Sequence, residues 1–142
     1  MKPKLILAIL IIPVILGLCL FIVIGFIKQS DKKYLEKKNF QLIGVVVNKN
    51  YIESGVGSVV LNLTKSNYME YNPDNDNRRR YFCKISNDRA YIIIEGINTI
   101  SIGDTIKIDE TRISLYRDKE LVKSSNIFIP IPFPLSSKIF DK

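Results

Sequence analysis

The sequence contains no histidine and only two cysteines among its 142 residues. Without histidine there is no Ser–His or Cys–His catalytic pair and no histidine-ligated metal site. Glycine and proline are also scarce, at 7 and 6 residues, which excludes a collagen-like chain. The hydrophobic fraction of 46% excludes a disordered chain. The length is that of one domain, and little in the composition indicates a catalytic or metal-binding function.

Other signatures of catalysis are missing as well. The glycines within residues 44–57 do not form a phosphate-binding loop. Cys83 falls on an apolar-patterned face, which indicates an inert core thiol. Asp74 and Asp76 resemble the start of a calcium loop, but the glycine and glutamate that such a loop needs do not follow. We predict no catalytic residue, no cofactor and no metal, while a hydrolase that uses carboxylates stays open because no motif would reveal it.

An uncharged apolar run covers residues 5–27. As a helix these 23 residues would span roughly 35 Å, enough for a hydrocarbon core of about 30 Å. The run exceeds the core of a signal peptide, so we expect an uncleaved, single-pass anchor in a bacterial inner membrane. A cleaved signal peptide is the first alternative, although no small-residue cleavage site follows. A lipoprotein signal ending at Cys19 is the second, although Leu18 stands where a small residue is wanted.

Most of the net charge of +7 flanks this run. Residues 39–142 are nearly balanced, which argues against a nucleic-acid-binding domain. A basic cluster follows the apolar run and suits anionic lipid headgroups. The predicted membrane-surface residues are Lys28, Lys32, Lys33, Tyr34, Lys37 and Lys38. The lysine count favours a cytoplasmic C-terminal domain and the basic start favours export, so the side of the membrane stays open.

The rest of the chain predicts a small all-β domain. Residues 28–39 are polar and favour a short helical stalk that stops at Asn39. After residue 40 the apolar residues are mostly β-branched or aromatic and recur with a period of two. We expect an OB-like or SH3-like, partly closed barrel of six or seven strands. The candidate strands are residues 41–49, 57–64, 81–86, 89–95, 104–109, 112–117 and 120–123.

Two segments lie outside this pattern and are the candidate contact surfaces for a partner. Residues 67–80 hold a proline, several asparagines and three arginines, which predicts a long exposed loop. Residues 127–135 alternate proline with large apolar side chains, which predicts an edge strand or an extended arm. This arm either packs on the barrel or stays exposed as an apolar patch. The predicted partner-binding residues are Arg78, Arg79, Arg80, Ile129, Ile131 and Phe133.

The order of these elements along the chain is similar to that of a known group of proteins. A basic start, one membrane helix and a lysine-rich stalk precede a glycine-led strand, GVVV, at residues 44–47. The element ISIGDTIKI follows at residues 100–108, and ISLYRDKELV at residues 113–122. In this order the elements resemble small membrane-anchored or lipoprotein β-domain envelope proteins of Bacteroidetes-type bacteria. That group brings no catalytic residues to carry over, and its lipoprotein members imply export.

The sequence therefore predicts four regions. They are a basic start and transmembrane helix (1–27), a juxtamembrane stalk (28–39), a β domain (40–126) and a C-terminal arm (127–142). The expected function is that of a non-enzymatic accessory or interaction subunit of a membrane or cell-envelope complex. Its expected partners are the bilayer and another membrane or envelope protein, with no nucleic acid and no metal. The alternative is a membrane-tethered domain that binds a small ligand or a lipid headgroup.

Overall fold

A computed structural model describes residues 3–76 and 82–127 of the chain. The chain divides after Lys37 into two units, an N-terminal helical unit and a β unit. Helix α1 spans Pro3–Lys38 and has Pro13 in its interior. Asn39 follows with a φ of 49°, a left-handed conformation that asparagine adopts at helix ends, so the helix stops where the sequence predicts.

The segment Ile12–Lys38 of this helix is long and apolar enough to cross a membrane. Length and composition alone carry this statement, and an N-terminal signal sequence meets the same criterion. A single N-terminal helix of membrane-spanning character is therefore present, as predicted.

The β unit is one antiparallel sheet. Its strand order is β3-β4-β5-β2-β1-β6-β7-β8, so sequence neighbours mostly pair as hairpins. Within the described ranges the sheet is open, with β3 and β8 at its edges. The strands are β1 (Gln41–Glu53), β2 (Val56–Ser66), β3 (Glu70–Tyr71), β4 (Cys83–Ser86), β5 (Arg89–Glu95), β6 (Thr105–Asp109), β7 (Arg112–Arg117) and β8 (Glu120–Asn126).

The period-two alternation assigns one face of each strand to the core. Val46 and Leu61 face each other across β1 and β2, and Ile106 faces Leu115 across β6 and β7. All four side chains are buried. At one end of the sheet Phe40 is fully buried and its ring packs against three other aromatic rings, those of Tyr68, Tyr71 and Phe82, at centroid distances of 4.9, 4.8 and 5.1 Å.

The sheet is strongly curled. Isoleucines of β5 and β7 line a groove of about 50 Å³ together with residues from the end of β8, although four strands separate β5 from β8 in the sheet order. Gly96, just after β5, lies so close to β8 that an added Cβ would come within 2.8 Å of the Lys123 ammonium. Strand β5 and the edge strand β8 therefore approach each other without pairing.

These observations correct two predictions. The predicted barrel of six or seven strands is an open sheet of eight, because β3 adds a short edge strand that the sequence pattern did not reveal. This strand lies in the segment predicted as a long exposed loop. A two-residue strand is too short to show alternation, yet pairing with β4 leaves Tyr71 only 8% exposed and buries Pro73.

Candidate functional site

The predicted site residues divide into two groups. The predicted partner-binding residues, Arg78, Arg79, Arg80, Ile129, Ile131 and Phe133, lie outside the described residues. The predicted membrane-surface residues lie in the last turns of α1, where Lys32 pairs with Glu36 at 3.8 Å. The fit of these lysines to headgroups remains a prediction. The last of them, Lys38, belongs to the β unit and contributes to a cleft there.

A cleft of about 530 Å³ lies beside β3 and β4, and we call it the polar cleft. Its volume is within the range of small-molecule sites. Mixed charges and neutral hydrogen-bonding groups line it. The lining residues are Lys38, Glu70, Tyr71, Asn72, Asn75, Asp76, Lys84, Ile85 and Ser86.

An ion pair holds one wall of the polar cleft. The Lys38 ammonium lies 2.7 Å from the Asp76 carboxylate and 5.5 Å from the centre of the Tyr71 ring. The Tyr71 hydroxyl donates a long hydrogen bond of 3.4 Å to the same carboxylate. Nearby, the Tyr68 hydroxyl donates to the Lys38 carbonyl oxygen at 2.7 Å, which satisfies an acceptor at the helix end. The wall is thus bound to the aromatic cluster of the core.

Glu70 and Lys84 line the same cleft but, unlike Lys38 and Asp76, they do not form an ion pair. Neither has an ion-pair partner among the residues described here. Glu70 lies opposite Ser86 on the neighbouring strand, and Lys84 is two residues from Ser86, so Glu70 and Lys84 share one face of the sheet. Such diagonal positions are about 7–8 Å apart.

The outer face of the sheet carries an apolar row. Val45, Thr105, Tyr116 and Leu121 are register partners across four adjacent strands, β1, β6, β7 and β8, so their side chains share a face. Their neighbours along the strands, such as Ile106 and Leu115, point into the core, so this row points outward.

A β-bulge in the edge strand enlarges this row. Register shifts between β7 and β8 beside Tyr116, which leaves Val122 as an extra residue. Leu121 and Val122 are 58% and 46% exposed. We call Val45, Thr105, Tyr116, Leu121 and Val122 the outer patch. The sequence could not reveal it, because Leu121 and Val122 are adjacent and fit no alternation.

A buried carboxylate, that of Asp104, lies just before β6 and bonds to the end of β7. Asp104 is 3% exposed and accepts hydrogen bonds from Arg117 Nε and Nη2, both at 2.9 Å, and from the Ser101 backbone N–H at 2.8 Å. The hydrogen bond from Arg117 is the main reason that the pKa of Asp104 lies below its usual value. Arg117 also donates to the Thr99 carbonyl. The Asp104 carboxylate and the Arg117 guanidinium both bond to residues of the loop before β6, so the pair holds this loop in place.

The structure places two residues that the sequence analysis considered for catalysis or metal binding, Cys83 and Asp74. Cys83 is fully buried, and burial raises the pKa of its thiol, which keeps it protonated and unreactive. No group of three or more candidate metal ligands occurs within residues 3–76 and 82–127. The Asp74 region forms a 3-10 turn in which the Asn72 side chain accepts from the Asp74 N–H at 3.0 Å.

Comparison with known proteins adds no assignment. No family model, no characterised protein and no solved structure matches the chain.

Proposed function

We propose that this protein is a non-enzymatic, single-pass membrane subunit that uses its β unit to bind another protein of a bacterial membrane or cell-envelope complex. The outer patch carries this proposal. Outward-facing positions of an antiparallel sheet are normally polar, and contiguous exposed apolar residues mark interaction sites. A partner contact would remove Leu121 and Val122 from water.

The position of the outer patch favours a partner strand as the occupant. The patch ends on β8, which is an edge strand of the sheet within residues 3–76 and 82–127, and an edge presents backbone donors and acceptors to an added strand. A partner strand with apolar side chains on one face would continue the row of Val45, Thr105, Tyr116 and Leu121. Attachment to one membrane raises the effective concentration of both proteins, so a modest interface suffices.

The patch is tested by substitution and cross-linking in the full-length protein. A photo-reactive amino acid at Leu121 should cross-link to one partner chain, which co-elutes stoichiometrically in mild detergent. The double variant Leu121→Ser, Val122→Thr should lose that chain. Met69→Ser is the matched control, since Met69 is 87% exposed and lies outside the patch. Equal co-elution with both variants, or cross-links only from a control position, would contradict the proposal.

The arginines at positions 78–80 and the apolar residues Ile129, Ile131 and Phe133 are proposed as further contacts of the same partner. Charge reversal at the three arginines should weaken co-elution if an acidic partner surface contacts them. Unchanged co-elution would remove the arginines from the interface and leave the outer patch as the contact.

A further inference from the structure

Among the described residues, the charged side chains of the polar cleft are one ion pair and two side chains without an ion-pair partner. Lys38 and Asp76 are 2.7 Å apart and neutralise each other. Glu70 and Lys84 share one sheet face in diagonal positions and have no ion-pair partner in the described ranges. The described lining of the cleft thus offers one carboxylate and one ammonium, at diagonal sheet positions about 7–8 Å apart, to a ligand of opposite charges.

Neutral hydrogen-bonding groups line the same cleft. Asn72 and Asn75 supply amide donors and acceptors, and Ser86 supplies a hydroxyl group. We propose that the polar cleft binds a small zwitterion of the phosphoethanolamine class. The phosphate accepts hydrogen bonds from Lys84, and the primary ammonium donates to Glu70. An α-amino acid matches these diagonal positions less well, because its two charged groups are attached to one carbon and lie closer together than those of phosphoethanolamine.

The ligand could be a free molecule or the headgroup of phosphatidylethanolamine, which share this chemistry. Nanodiscs with and without phosphatidylethanolamine distinguish these two sources.

The test is calorimetric titration of phosphoethanolamine into the full-length protein in phosphatidylcholine nanodiscs. We expect saturable binding, and we expect phosphocholine to bind about tenfold more weakly, since its quaternary ammonium has no N–H to donate to Glu70. Lys84→Gln and Glu70→Gln should each weaken phosphoethanolamine binding by about tenfold. Glu70→Gln should also abolish the preference over phosphocholine.

The controls are Lys65→Gln and Glu120→Gln, which remove exposed charges of the same kinds outside the cleft. Thermal unfolding of all four variants should match that of the wild type. No saturable binding at millimolar ligand, equal binding of phosphocholine, or equal losses in the controls would overturn the proposal. A second set of nanodiscs containing phosphatidylethanolamine identifies the source: competition with the free ligand indicates the headgroup, and an unchanged affinity indicates a soluble molecule.

Discussion

At the scale of single residues, Asp104 is the side chain whose role is best defined. Its carboxylate accepts three hydrogen bonds and connects β7 to the loop before β6. Hydrogen bonds to a charged group are worth about 1.5–3 kcal/mol, more than those between neutral groups. A buried charge without such partners would destabilise the fold, so Asp104 and Arg117 depend on each other.

Asp104→Asn should therefore lower the free energy of unfolding by about 2 kcal/mol. For a unit of this size we expect the melting temperature to fall by roughly 10 °C. Thermal unfolding followed by circular dichroism measures the change. Asp109→Asn is the control, because Asp109 is exposed and pairs with Lys107 at 3.4 Å, so its loss should cost under about 1 kcal/mol. Equal effects of both variants would refute the structural role of Asp104.

The same carboxylate predicts an acid response. The guanidinium of Arg117 lowers the pKa of Asp104 in the folded state below the value of about 3.9 expected when unfolded. The stability that this ionisation contributes is fully present above that unfolded value and is lost as the pH falls through the folded pKa. Below about pH 4 the wild type should lose stability more steeply than Asp104→Asn. Parallel curves in urea unfolding would contradict this.

At the scale of elements, short hairpin turns connect several of the paired strands. Asp118 and Lys119 join β7 to β8, and their φ angles are 51° and 69°. Two successive positive φ values characterise the type I′ turn, whose twist matches that of the strands. The sequence placed these two residues between the candidate strands 112–117 and 120–123, but it did not reveal that a lysine adopts a positive φ there.

Lys119→Gly should raise the stability of the β unit by about 1 kcal/mol, because glycine adopts a positive φ without steric cost. The midpoint of urea unfolding should shift upward. Lys65→Gly, within strand β2, is the control and should destabilise the unit, since glycine weakens a strand interior. A destabilised Lys119→Gly variant would mean that the lysine side chain itself stabilises the hairpin.

Helix α1 offers the other prediction at this scale. An anchor stays attached, whereas a signal sequence is removed. We expect the purified protein to retain the apolar run at residues 5–27 and to leave membranes only with detergent. Intact mass spectrometry after membrane extraction decides this. A mature chain that begins after the apolar run would show that α1 is a signal sequence, and the β unit would then be exported.

At the scale of the whole molecule, Cys83 reports on the integrity of the β unit. Its side chain is fully buried, and its strand neighbour Ile92 is a core residue. In a Cys19→Ser background, a thiol reagent should therefore modify Cys83 only through global opening of the sheet. The modification rate should rise with urea in parallel with unfolding measured by circular dichroism. Fast modification in native buffer would show that the open sheet exposes its core locally.

The sequence by itself determined the features that depend on local pattern. An uncharged run of 23 residues is long and apolar enough for a membrane-spanning or signal helix. Asn39 ended the helix because asparagine tolerates a left-handed conformation. Alternating β-branched residues located most of the strands, since one face of a sheet must be buried. The absence of histidine excluded Ser–His and Cys–His catalytic pairs and histidine-ligated metal sites.

Only the tertiary structure decided which residues meet across strands. Strand β3 exists because β4 pairs with it, and two residues carry no periodic signal of their own. The outer patch joins residues from four strands, and the polar cleft joins Lys38 to Lys84 over 46 positions. Register and curvature create these surfaces. They depend on the packing of the whole sheet, which no local stretch of sequence encodes.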